Sequence, residues 1–224
     1  YRQITKQSPF DLPKYYIPRT LTHLKAILEA KKYYFPEKEY RTLCDLIVEK
    51  QKIVLLGDAG MGKSTELKYL YNELLESKED YFPVWISLNG HLLSDSLESY
   101  LGDLLTIEPE RIVMIMDGYD EIPTTDHPQL NRQITNLILN RKDIRIILSS
   151  RKNTYDFDSE SNTSKHEGFE VYYLNELSLN DIETYFESLG GVTRFSDFER
   201  ELKRVNFLDV IKNPFYLKTI VELF

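Results

Sequence analysis

Gly57-Asp58-Ala59-Gly60-Met61-Gly62-Lys63-Ser64 is the stretch that decides the fold. It has the form G-x-x-x-x-G-K-[ST]. A chance match in a chain of this length stands at about the one-per-cent level. The spacing has a physical reason. Glycines let the backbone wrap so that successive N–H groups converge on one anion. A helix starting at the lysine adds its N-terminal amides and positive dipole end. Lys63 supplies a flexible point charge for β- and γ-phosphates, and the Ser64 hydroxyl is a ligand for Mg²⁺.

The flanks agree. Residues 53–56 are a short apolar run ended by Gly57, and Leu67, Leu70, Tyr71, Leu74 and Leu75 then recur at helical spacing. Further out, residues 84–88, 112–116, 144–148 and 169–174 are similar apolar runs. Helical patterns lie between them, at Leu97, Leu101, Leu104 and Leu105 and at Leu130, Ile134, Leu137 and Ile138. Alternation of this kind predicts an α/β fold with a five-stranded parallel sheet, buried on both faces by flanking helices.

The rest divides around this core. Residues 1–36 read as an arm, held extended over 8–19 by Pro9, Pro13 and Pro18, with a helix over 20–32. Residues 37–174 form the core, opened by a helix carrying Tyr40, Leu43, Cys44, Ile47 and Val48. The polar stretch 153–168 reads as a mobile loop. Residues 175–224 are expected to form the start of a small all-helical domain. Its first helix starts at the capping pair Ser178 and Asp181, a second carries Phe198, Leu202 and Val205, and a last opens at Pro214.

Two further groups carry chemistry. Ile112-Val113-Met114-Ile115-Met116-Asp117-Gly118-Tyr119-Asp120-Glu121 puts an acid at the carboxyl end of a buried strand, the edge where such sheets bind ligands. Asp117 can hold Mg²⁺ through water. Asp120 and Glu121 are alternatives for orienting or deprotonating an attacking water, an effect worth about 10²–10⁴-fold. In Ile146-Ile147-Leu148-Ser149-Ser150-Arg151, either hydroxyl can sense a γ-phosphate or hold that water, and Arg151 can pair with phosphate bidentately.

Composition sets outer bounds. The 224 residues are 42% hydrophobic, with 28 Lys and Arg against 36 Asp and Glu, a net charge of −8. Collagen-like, disordered and disulfide-scaffold classes are excluded. No apolar run approaches the roughly 18 residues that span a bilayer. The single cysteine, Cys44, has no internal disulfide partner, which suggests a reducing compartment. His23, His91, His127 and His166 lack metal-ligand spacing. Acidic balance counts against a dedicated nucleic-acid binder and leaves nucleic acid open as a partner. Arg141, Lys142, Arg145, Arg151 and Lys152 form a basic cluster along the sequence. The chain starts at Tyr1 and stops inside an apolar run at Phe224, so a segment of a longer protein is expected.

Together, GDAGMGKST (57–65), DGYDE (117–121) and IILSSR (146–151) resemble the NACHT branch of the STAND nucleotide-binding proteins, which are AAA+-related P-loop NTPases. The D-G-h-D-E pattern marks that branch; AAA+ ATPases in general put a glutamate where this chain has Gly118. The resemblance implies ATP or ADP with Mg²⁺ as cofactors. It places Gly57, Asp58, Ala59, Gly60, Met61, Gly62, Lys63, Ser64 and Thr65 around the phosphates, with Ser64 and Asp117 on the metal. It puts Asp120, Glu121 and Arg151 in hydrolysis and Ser149 and Ser150 near the γ-phosphate. Ile17-Pro18-Arg19 is expected to border the base, and Pro214, within Asn213-Pro214-Phe215-Tyr216-Leu217, to pack near the adenine. The implied activity is a slow, switch-type ATPase whose nucleotide exchange drives homo-oligomerisation in innate immune or antiphage defence. It implies a cytoplasmic protein away from membranes, with sensor and effector domains elsewhere in the same chain. An Orc-like AAA+ ATPase acting on DNA is the alternative. The chain departs from the pattern at Ser149, where the family often has Thr, and this segment lacks the family's winged-helix domain.

Overall fold

The computed structural model describes residues 8–24, 26–27, 41–77, 81–91, 94–155, 157–158, 163–164, 168–190 and 194–223. Its strands are β1 (Leu21–His23), β2 (Lys52–Leu56), β3 (Phe82–Ser87), β4 (Ile112–Asp117), β5 (Arg145–Ser150), β6 (Phe157–Asp158), β7 (Thr163–Ser164) and β8 (Glu170–Leu174). Its α-helices are α1 (Leu43–Glu49), α2 (Lys63–Glu76), α3 (His127–Asn140), α4 (Leu179–Ser188), α5 (Phe195–Arg204) and α6 (Pro214–Leu223).

The main sheet has the order β1-β8-β2-β5-β4-β3. Five of its strands run parallel, as the apolar runs predict. Val54 sits between Leu148 and Val171, and Met114 between Ile146 and Val84. Residues Ile53 to Leu56 and Ile112 to Met116 are fully buried, because apolar clusters cover both faces of the sheet. A parallel sheet puts all strand exits at one edge, so the segments after β2, β4 and β5 meet there.

The sixth strand corrects the sequence reading. Residues 21–23 belong to an antiparallel edge strand, with Leu21 opposite Leu174, instead of opening the helix expected over 20–32. Pro18 lies just upstream. Backbone bonds from Asn175 N to Thr20 O (3.0 Å) and from Leu21 N to Arg41 O (2.8 Å) hold the segment extended. Tertiary pairing outweighs local helical periodicity here. Residues 24, 26 and 27 are helical, and the remainder of that expected helix lies outside the described residues.

Two other expectations change. Leu97–Thr106 forms 3₁₀ turns in place of an α-helix, because Gly102, at φ 48° and ψ −122°, interrupts it. Within 153–168, β6 and β7 pair as a small antiparallel hairpin; most of the other residues of that stretch lie outside the described set.

The helices beyond β8 have a core of their own, built from Leu177, Ile182, Phe186, Phe198, Leu202, Ile211 and Leu217. Ser178 and Asp181 form the expected reciprocal cap at the start of α4. Among the described residues, no helix is long and apolar enough to cross a membrane.

Candidate functional site

A cleft of about 540 Å³ opens at the sheet edge where β2, β4 and β5 end. The phosphate-loop candidate forms its floor and the exits of β4 and β5 one wall. The arm contributes Tyr15, Tyr16, Ile17 and Arg19, and the helical domain contributes Leu177, Tyr185, Pro214 and Phe215.

The loop between β2 and α2 has the form of an anion cradle. Gly60 and Gly62 have φ of 76° and 89°. Gly62 precedes α2 without a side-chain cap, and the first helical bond runs from Glu66 N to Gly62 O, 2.9 Å. The amides of Lys63, Ser64 and Thr65 therefore have no intrahelical acceptor. Most of the loop carbonyls, by contrast, are occupied. Lys63 Nζ donates to Gly57 O (2.7 Å) and Asp58 O (3.4 Å). Asn213 Nδ2 donates to Ala59 O (3.0 Å), and Arg19 Nη1 to Met61 O (2.9 Å). Tyr173 donates its hydroxyl to Asp58 Oδ2 at 2.6 Å. Burial lowers the pKa of Lys63, against the pull of Asp120, Asp117 and Asp58.

The opposite wall is a second hydrogen-bonded unit. Ser149 Oγ accepts from Gly118 N (2.9 Å) and donates to Asp117 Oδ1 (2.5 Å). Its proton is thus committed to orienting Asp117. Ser150 is fully buried, turns its hydroxyl to Arg151 O at 3.1 Å, and does not line the cleft, which corrects its placement near the γ-phosphate. Asp120 and Glu121, equivalent in the sequence, are distinct here. Asp120 accepts from Arg151 N (3.0 Å) and from Arg151 Nε (2.9 Å), and its side chain is only 7% exposed. Both acids line the cleft, and Glu121 is the exposed one. Its carboxylate lies against Gly118, which has φ 90°: a Cβ at that position would come within 3.0 Å of Glu121 Cδ. The glycine after the strand-end acid thus makes room for the acid three residues on.

Arg19 is 6% exposed, and besides Met61 O its guanidinium donates to Asn175 O. It borders the cleft while its guanidinium is engaged by backbone carbonyls. Ile17 lines the cleft and Pro18 does not; Pro214 lines it from the other side. Gly57 and the Met61 side chain also stay out of the cleft, Met61 being part of the core. Asp58, Ala59, Gly60, Gly62, Lys63, Ser64, Thr65, Asp117 and Arg151 all line it.

Three residues of the site have roles that the motif reading does not give. Asn213 and Tyr173 grip the loop as described. Glu66, on the first turn of α2, is 1% exposed and accepts the hydroxyl of Tyr16, which stacks on Tyr69 at 4.2 Å. Burial raises the Glu66 carboxyl to about 7, although Tyr16 and Arg19 favour the charged form. Its only sequence signal is a carboxylate beside Leu67 on the buried stripe of Leu67, Leu70 and Leu74. The basic cluster of the sequence dissolves in three dimensions. Arg145, at the start of β5, donates to Ile47 O, whereas Arg151 follows its end.

The donor set fits a magnesium nucleotide. Among the described residues, no group of three or more His, Cys, Asp or Glu side chains could hold a metal. Ser64 and Asp117 share the cleft instead. One hydroxyl and one carboxylate, completed by phosphate oxygens and water, is an ordinary Mg²⁺ arrangement.

A phosphate loop opening a helix, beside an acid-tipped parallel strand, defines a nucleotide-binding P-loop NTPase. The family model of the NACHT domain matches residues 51–190, more than half of the chain, and the chain belongs to that family. Among solved structures it is similar to the RuvB Holliday junction branch migration motor of Thermotoga maritima, at 14% identity and a TM-score of 0.37. That match covers 61% of this chain and 42% of the motor, so the chain spans less than half of the motor's length. No curated protein matches it.

Proposed function

We propose that this chain is the ATP-binding and ATP-hydrolysing core of a STAND-type molecular switch. The observation that carries the reading is the cleft itself: uncapped loop amides, Lys63 and Ser64 share it with Asp117 and Glu121, and the arm and the helical domain both border it. Bound Mg·ATP supplies the electrophilic phosphoryl group and the positive charge that offsets the neighbouring carboxylates. Lys63 and the amides at the start of α2 hold phosphate oxygens. Ser64 and Asp117 hold the cation, with Ser149 fixing the Asp117 carboxylate. Glu121 orients the attacking water and takes its proton, because Asp120 is already engaged by Arg151. Asp120 in turn keeps Arg151 at the cleft, where its guanidinium faces the phosphates.

A nucleotide in this cleft touches both the arm and the helical domain, so its phosphate number biases how they dock. On this reading, exchange of ADP for ATP drives self-association, and the family membership supports a role in innate immune or antiphage defence in the cytoplasm. Sensor and effector parts of the same protein would deliver the trigger and the output.

The test begins by denaturing the purified protein and identifying released nucleotide by chromatography. Near-stoichiometric ADP is expected of a switch in its resting state. Glu121→Gln should keep ATP affinity and slow hydrolysis by about 10²-fold or more. An unchanged rate would remove Glu121 from the chemistry.

A further inference from the structure

Asn213 uses both ends of one carboxamide on two different parts of the molecule. Its Oδ1 accepts from Phe215 N at 3.0 Å, which makes it the cap of α6, with Pro214 at the first helical position. Its Nδ2 donates to Ala59 O at 3.0 Å, in the middle of the phosphate loop. The amide cannot be reversed, since the oxygen has no proton to give to Ala59 and the nitrogen has no lone pair for Phe215.

The contact is close-packed as well as hydrogen-bonded. A Cβ on Gly60 would lie 3.0 Å from Asn213 Oδ1 and 3.0 Å from Phe215 Cβ. Only a glycine lets the helical domain approach the loop this closely. Behind Asn213, Leu217 is buried in the core of that domain, and Leu177 N donates to Lys212 O at 2.9 Å. The grip on Ala59 is therefore anchored in the whole helical domain.

Peptide planarity gives the contact its consequence. Ala59 C=O and Gly60 N–H belong to one trans peptide and point in opposite directions. A donor that holds the carbonyl from the helical-domain side fixes the opposite aim of the Gly60 amide.

We propose that Asn213 is a positioning residue for phosphate binding: it holds the Ala59–Gly60 peptide in its anion-binding orientation only while the helical domain is docked. This rests on the reading that the cleft binds nucleotide phosphates. Because coupling is reciprocal, bound phosphate strengthens docking of the helical domain, and its undocking weakens phosphate binding. Helical-domain residues that border the cleft, Pro214 among them, share the docking but make no use of the Ala59–Gly60 peptide.

Asn213→Ser separates the two functions. Serine caps α6 as well as asparagine does, but is too short to reach Ala59. Calorimetric titration with ADP·Mg²⁺ and, separately, with adenosine should show ADP affinity falling about three- to tenfold, the range for one hydrogen bond. Adenosine affinity should fall less than ADP affinity, and the free protein should melt no more than about 1–6 °C lower, the share of one hydrogen bond. Should the serine variant fold poorly, Asn213→Asp keeps length and cap while losing the donor, and should weaken ADP at least as much. Unchanged ADP affinity in a folded variant would overturn the proposal, and so would a parallel loss of adenosine. A wild-type chain that binds no ADP would instead overturn the nucleotide reading beneath it.

Discussion

Gly118→Ala tests how the acid-bearing turn after β4 is built. Gly118 has φ 90°, where an alanine costs about 1–2 kcal/mol. The new Cβ would lie 3.0 Å from Glu121 Cδ and 3.1 Å from Oε2. Those atoms are the end of an exposed side chain, so the clash is relieved by moving the carboxylate and not the backbone. The stability cost should then remain near the conformational figure, a melting decrease of about 2–8 °C for a chain of this size. The displaced carboxylate is the functional cost. A shift of about 1 Å in a reacting group is worth about 10²-fold in rate. Lys63, Ser64 and Asp117 are untouched, so ATP affinity should change less than about threefold. Steady-state phosphate release, ATP titration and thermal melting on the same preparation measure all three. A Gly118→Ala, Glu121→Gln double variant should be no slower than Glu121→Gln alone, because both remove the same group. Wild-type turnover in a folded Gly118→Ala protein would show that the Glu121 carboxylate is not held by this turn, and a loss of ATP affinity in step with turnover would show that the turn acts on binding.

Other outcomes follow from the buried polar groups. Glu66→Ala leaves the Tyr16 hydroxyl without its acceptor and removes a countercharge near buried Arg19, so urea unfolding should show a loss of about 2–4 kcal/mol. Burial pushes the Cys44 thiol up to about 12. Its thiolate is therefore scarce at pH 8 in the folded chain, and a disulfide-exchange reagent should label it at least about 10²-fold more slowly than in denaturant. Because the shift is upward, folded-state reactivity should rise only as pH climbs toward 12; fast labelling of the native chain at pH 8 would contradict that burial.

The parts legible in the sequence are those where chemistry dictates residue type at fixed spacing. Residues 57–64 and 117–121 are such parts, since an amide cradle needs glycines and a sheet-edge metal site needs an acid at a strand end. The five parallel strands were legible because burial on both faces makes them continuously apolar. What stayed hidden depends on partners far away in the chain. β1 exists through β8, and its three residues have no strand pattern of their own. Asn213 meets Ala59 across 154 positions, Tyr173 meets Asp58 across 115, and Tyr16 meets Glu66 across 50. Ser149 and Ser150 are a nearer case. Strand alternation puts their side chains on opposite faces, so only one of the pair could join Asp117. Arg151 engages Asp120 through two bonds that no spacing rule contains.

On the proposed function, the cleft binds nucleotide through its phosphate loop. The most direct test is titration of ATP·Mg²⁺ into the wild-type chain and into Lys63→Ala, with the melting temperature of each free protein as the control for folding. Loss of a charge-assisted contact should weaken ATP about 10- to 100-fold while both free proteins still melt cooperatively. Equal ATP affinity in the two proteins would rule that binding mode out.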